Sequence, residues 1–112
     1  MKKLFPLLAL ALSMNALAGN IEAGKAAAQK YNCASCHGAD YNTPIDPSYP
    51  KLAGQHADYL AQALTAYQRG AAGANGRGNA IMGGMAKPLS KNDIRDISAY
   101  LASLPGSLVV RK

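Results

Sequence analysis

A chain of 112 residues with a formal net charge of +6 is long enough for one small core and no second, and its basic balance favours short-range encounter with acidic proteins or anionic membranes. The basic residues are scattered and the aromatics few, which argues against nucleic acid as a partner. The composition is rich in Ala and Gly and lacks Trp, so so small a domain needs a staple besides its packing, and without one it is expected to be largely unfolded or molten.

The chain opens on Lys2 and Lys3, followed by a short apolar run over 4–17 and the small-x-small pattern Ala16-Leu17-Ala18. We read 1–18 as a cleaved signal peptide and 19–112 as one mature domain with a periplasmic address. The run carries Pro6, Ser13 and Asn15 and is shorter than the roughly 20 residues a spanning helix needs, so no stable membrane insertion is expected after cleavage. Loss of Lys2 and Lys3 leaves ten basic residues against six acidic, and the chain's single Phe goes with the leader.

Residues 21–32 carry Ile21, Gly24, Ala27, Ala28 and Tyr31 at helical spacing. The face is mostly small. Gly24 in mid-helix costs about 1 kcal/mol against Ala, a cost that a close helix crossing at that point would offset.

Cys33-Ala34-Ser35-Cys36-His37 follows, and it is the strongest signal in the sequence. Two thiols separated by two residues fall on one helical turn and can each add across a vinyl group of haem, while the next imidazole comes to the iron as an axial ligand. Three other readings use the same residues. A thiol–disulfide redox pair belongs at a strand-to-helix step, whereas the residues before Cys33 read as helix. Zinc would have to recruit His56 beside Cys33, Cys36 and His37. A structural disulfide over so short a loop constrains little of the unfolded chain.

Residues 38–54 contain Pro44, Pro47 and Pro50 with Asp40, Asn42 and Asp46, and are predicted to be an irregular loop. A metal-ligating imidazole needs an acceptor for its other ring nitrogen, and the Pro50 carbonyl on this stiff loop is the candidate for His37. Residues 55–69 return to helical periodicity, with Leu60, Ala63, Leu64 and Tyr67 on one face. Tyr59 and Tyr67 are candidates to reach a haem edge or propionate, and His56 reads as a surface residue at the helix start.

Residues 70–89 hold six glycines, a density at which no regular element is expected, so the segment is read as a flexible loop able to lie against a flat ligand. Met82 and Met85 lie in it, the only methionines outside the leader. Either thioether could complete a His/Met pair with His37, the combination suited to electron transfer. Arg77 could neutralise a propionate. From Ser90, with Asp93 three positions on, a last helix carries Ile94, Ile97, Leu101 and Leu104 and ends at Pro105-Gly106. Tyr100 and Leu101 are expected to pack into the small face around Gly24 and Ala28. The tail 107–112 suggests no role.

Taken together, the mature chain resembles class I c-type cytochromes, in particular the small bacterial periplasmic ones and one half of the diheme cytochromes of that group. Cys33 to His37 matches the attachment motif, Tyr49-Pro50-Lys51-Leu52-Ala53-Gly54-Gln55 resembles the segment that follows it, and Met82-Gly83-Gly84-Met85-Ala86-Lys87-Pro88-Leu89-Ser90 resembles the methionine loop. The resemblance implies an all-α fold of three to four helices around one covalent haem c, with the terminal helices crossed. It implies Met82 rather than Met85 as the sixth ligand, and the contact of Pro50 with His37. With one C-x-x-C-H there is no internal electron relay. The expected role is a one-electron carrier, not an enzyme. It would serve as a monomer or in transient complexes with a quinol-oxidising complex, a terminal oxidase, a peroxidase or a dehydrogenase. The alternatives are a cytochrome subunit of a periplasmic dehydrogenase and an open-site haem sensor.

Overall fold

A computed structural model describes residues 19–71 and 75–107, and over them the chain is helical with no strand. The leader 1–18 and the tail beyond 107 lie outside the described residues, so the expectations placed on them are not addressed by the fold. Among the described residues five helices follow in order: α1 (Ile21–Lys30), α2 (Ala34–His37), α3 (Ala57–Arg69), α4 (Ala80–Ala86) and α5 (Lys91–Ser103).

The first and last helices cross, and the crossing is built on Gly24. Its hydrogen faces the Asp96 backbone, where an added Cβ would run into the Asp96 carbonyl oxygen and lie 2.8 Å from the Tyr100 Cβ. Ala28, one turn on, is fully buried, while Ile21 at the outer end is 48% exposed and leaves the apolar face the sequence assigned to it. Asn20 caps α1, accepting from the Ala23 amide at 2.8 Å, and its own amide donates to Asp96 Oδ1 at 2.9 Å. The helix is two residues shorter than its periodicity predicts. Asn32 takes a left-handed φ of 57° and turns the chain so that the Cys33 amide bonds to the Ala28 carbonyl at 3.1 Å.

Helix α5 starts in the capping box foreseen from Ser90 and Asp93: the Asp93 amide donates to Ser90 Oγ at 2.9 Å and the Ser90 amide to Asp93 Oδ2 at 3.0 Å. Its buried face is Ile94, Ile97, Ser98 and Leu101. Helix α3 begins two residues later than predicted, with exposed His56 at the N-cap position and making no capping bond from its side chain. It buries Leu60 and Ala66 against α5 and α4.

The glycine-rich segment departs from its prediction, because α4 forms inside it and runs through Gly83 and Gly84. External hydrogen bonds and burial supply what propensity does not. Asn79 Oδ1 accepts from the Met82 amide at 2.9 Å at the start. At the far end, Gln68 Nε2 donates to the carbonyls of Ala86 at 2.9 Å and Leu89 at 2.7 Å. Ala86 is fully buried and Leu89 8% exposed, so packing anchors the same end.

Residues 38–54 are irregular, as their prolines predict, but closely tied. Asp40 Oδ1 accepts from the amides of Asn42 and Thr43, each at 2.9 Å, and the Tyr41 carbonyl accepts from Leu52 and Ala53 at 2.8 and 3.0 Å. Tyr41 itself is 3% exposed with a φ of 57°, and its ring meets Tyr100 edge-on at 6.0 Å. The loop is thereby fastened to α5, to which the Gly54 amide also donates at the Leu101 carbonyl, at 3.0 Å.

Candidate functional site

One helical turn presents the C-x-x-C-H residues. Cys33 precedes α2 with helical backbone angles, and its carbonyl accepts from the amides of Cys36 at 3.3 Å and His37 at 3.2 Å. The turn is stopped at once by Gly38, whose φ of 90° is a conformation that side-chain-bearing residues rarely adopt. An added Cβ there would also meet the Thr43 carbonyl, because the loop folds back on this point.

Folding back brings Pro50 to His37. The imidazole is 6% exposed and its Nδ1 lies 2.9 Å from the Pro50 carbonyl oxygen. A carbonyl only accepts, so Nδ1 is the donor, and in the neutral ring the lone pair then lies on Nε2. The ring is therefore held in the one neutral tautomer able to ligate a metal through Nε2. Tyr49, which the sequence reading did not single out, stands beside it with ring centroids 6.4 Å apart.

Cys33 and Cys36 are both free and half-buried. Burial pushes the Cys33 thiol above its ordinary value, a backbone hydrogen bond partly offsets this, and the neighbouring Cys36 adds to it. Redox-active cysteines have the opposite tendency, toward a stabilised thiolate. His56, the fourth ligand a zinc site would need, stands exposed at the head of α3, and among the described residues no three His, Cys, Asp or Glu side chains gather as a metal site.

The remaining predicted residues divide. Met82 and Met85 lie three apart on α4, both half-buried, Met82 in its first turn. Arg77 is held in place: Nη2 donates to the Tyr59 hydroxyl at 3.0 Å, and the guanidinium sits 5.5 Å from the ring centroids of both Tyr59 and Tyr67. The hydroxyls of Tyr59 and Tyr67 favour its charged form further. A cavity of about 610 Å³ opens beside this cluster, with Arg69, Asn75 and Gly76 among its lining, but it reaches none of Cys33, Cys36, His37 or Met82.

Leu52, Leu64, Tyr67 and Cys33 pack against the core yet remain half-buried. Two free cysteines, an imidazole fixed through Nδ1 and two thioethers form a donor set that fits a covalently attached haem. Sequence reasoning missed Asn79 and Gln68, which hold α4. Asn79 carried a legible signal, an N-cap residue type just before Ile81 and Met82. Gln68 carried none.

Comparison with known proteins agrees with this geometry. A family model described as Cytochrome c matches residues 21–105. The chain is 40% identical over 115 residues to cytochrome c4 of Stutzerimonas stutzeri, covering 96% of this chain and 53% of that protein. It is also 40% identical over 76 residues to the thiosulfate dehydrogenase electron acceptor of Thiomonas intermedia, covering 68% of this chain and 33% of that protein. Among solved structures, reduced recombinant cytochrome c4 from Pseudomonas stutzeri superposes with a TM-score of 0.67 at 40% identity, over 81% of this chain and 48% of that one. The chain thus spans about half the length of the cytochrome c4 relatives it matches. A one-turn attachment motif, an imidazole fixed through Nδ1 and a fold shared across most of the described residues lead to one conclusion: the chain belongs to the cytochrome c family of electron carriers, which bind covalently attached haem c.

Proposed function

We propose that the chain is a single-haem, periplasmic carrier of one electron at a time, exported by the leader 1–18 and catalysing no reaction of its own. The observation that carries this reading is the 2.9 Å contact between His37 Nδ1 and the Pro50 carbonyl, one residue after the second free thiol. When bound, haem c supplies an Fe(II)/Fe(III) couple. Cys33 and Cys36 hold it through thioether bonds. His37 Nε2 and the Met82 thioether would ligate its iron, with Met85 the alternative to Met82. Pro50 keeps the His37 ring from turning, and Arg77, braced by Tyr59 and Tyr67, offers its charge to a propionate.

The partners are redox proteins, met briefly. Ile45, whose amide donates to the Cys36 carbonyl at 3.0 Å, is 70% exposed, and Ile81 beside Met82 is 56% exposed. Both offer apolar contact next to the attachment motif and the methionine helix, and the surplus of Lys and Arg steers the approach. The name of the Thiomonas relative supports a dehydrogenase as one class of electron donor.

The test is an optical spectrum of the exported protein in both redox states. A weak band at the red end of the visible spectrum of the oxidised form is expected, lost in Met82→Ala and kept in Met85→Ala. The reduced protein is expected to refuse carbon monoxide, which an open-site sensor would bind. A colourless, iron-free protein that folds stably overturns the reading.

A further inference from the structure

Helix α4 has seven residues, two of them glycine, which is too short and too poor in helix formers to persist by propensity. At its first turn, Asn79 accepts from the amide of Met82 itself at 2.9 Å. At its last, both hydrogens of one side-chain amide are engaged: Gln68 Nε2 reaches the Ala86 and Leu89 carbonyls at 2.9 and 2.7 Å. Ala86 O has a second donor in the Leu89 amide at 3.1 Å, so the bond from Gln68 to Leu89 O is the more consequential of the two. Between the two fastenings lie Gly83 and Gly84, the most pliable part of the helix. Gly83 passes close to the backbone of Tyr67, the neighbour of Gln68, so that α4 rests on α3 along residues 67–68.

We propose that Gln68 is a positioning residue for Met82: by holding the end of α4 it decides how firmly the thioether stays on the iron. The inference rests on the reading of Met82 as axial ligand. Without the Gln68 amide, the carbonyl of a buried residue loses its side-chain donor. Released at that end, the short helix frays from Leu89 back through Gly84 and Gly83, and Met82 loses the helical turn that follows it. Loss of about one net hydrogen bond corresponds to roughly a fivefold larger population of the detached state.

The experiment uses the holoprotein with its covalent haem. In Gln68→Leu, haem content is expected to match wild type while the red-end band bleaches at a lower pH than in wild type and carbon monoxide binds the reduced form roughly five times faster. Gln68→Glu gives an independent readout. Its carboxylate faces two carbonyl oxygens and repels them, whereas the protonated acid donates one hydrogen, so the band is expected to strengthen as pH falls. A merely structural role lowers the melting temperature and leaves the band, the carbon monoxide rate and their pH profiles unmoved, and that result overturns the proposal even if Gln68→Leu fails to fold. If wild type lacks the band, or Met82→Ala keeps it, the axial reading falls and takes this inference with it. A normal wild type with unmoved Gln68 variants defeats the inference alone.

Discussion

Replacing Gly24 by Ala sets two effects of opposite sign against each other. Helix propensity alone predicts a gain of about 1 kcal/mol, because α1 would lose a mid-helix glycine. The crossing predicts a loss. An added Cβ overlaps the Asp96 carbonyl oxygen and lies 2.8 Å from the Tyr100 Cβ, atoms belonging to a helix backbone and to the root of a side chain, neither of which can rotate away. Relief requires α1 to lift from α5, which opens the contacts of fully buried Ala28 and of Ile97 at 2% exposure. Overpacking of this kind costs about 1–3 kcal/mol, and the severity of the overlap puts it at or beyond the upper end, for a net loss of about 2 kcal/mol. In a domain of this size 1 kcal/mol corresponds to roughly 4–8 °C, so Gly24→Ala should melt roughly 10 °C below wild type. Thermal unfolding of the holoprotein, followed by far-ultraviolet dichroism, measures it. An unchanged or raised melting temperature would show that the two helices do not meet at Gly24.

The other expectations concern caps and titrating groups. Ser90→Ala removes the acceptor of the Asp93 amide and should cost about 1 kcal/mol in denaturant unfolding, whereas Ser90→Thr should cost much less. Burial pushes the Tyr41 hydroxyl up to about 12, with the Cys33 and Tyr100 groups adding to it. The neutral phenol therefore contributes stability that is complete below pH 10 and is lost as pH rises through about 12, and ultraviolet titration should show one late tyrosine that disappears in Tyr41→Phe. The amide of Asn42, then the hydroxyl and amide of Thr43, hold the exposed Asp40 carboxyl below its ordinary 3.8. Its contribution is present above that pH and lost as pH falls through the lowered value, so Asp40→Ala should flatten the acid limb of the stability profile.

What could be read from the sequence followed from how local each determinant is. The attachment motif needs one helical turn, the capping box of α5 needs four consecutive residues, and the stripe of Ile94, Ile97 and Leu101 needs one helix period, so each is written contiguously in the chain. Gly24 was legible for a related reason, since a glycine amid helical spacing has few explanations other than a close neighbour. Pro50 was a candidate because a stiff loop shortly after His37 has few places to go, and the fold puts its carbonyl at 2.9 Å from Nδ1.

Helix α4 was illegible because its support is not local. Its glycines argue against a helix on propensity, and the decisive donor is Gln68, 18 and 21 residues away from the carbonyls it holds. Arg77 illustrates the same limit, since nothing in its neighbourhood in the chain announces that Tyr59 and Tyr67 will flank its guanidinium at 5.5 Å each. The division has a functional logic. The thiols and imidazole of the attachment motif are fixed by five consecutive residues, whereas the helix that carries Met82 is held by a separate element. If Met82 ligates the iron as proposed, a helix weak in itself and held from α3 would let a change at Gln68 alter that bond without touching the residues that make it.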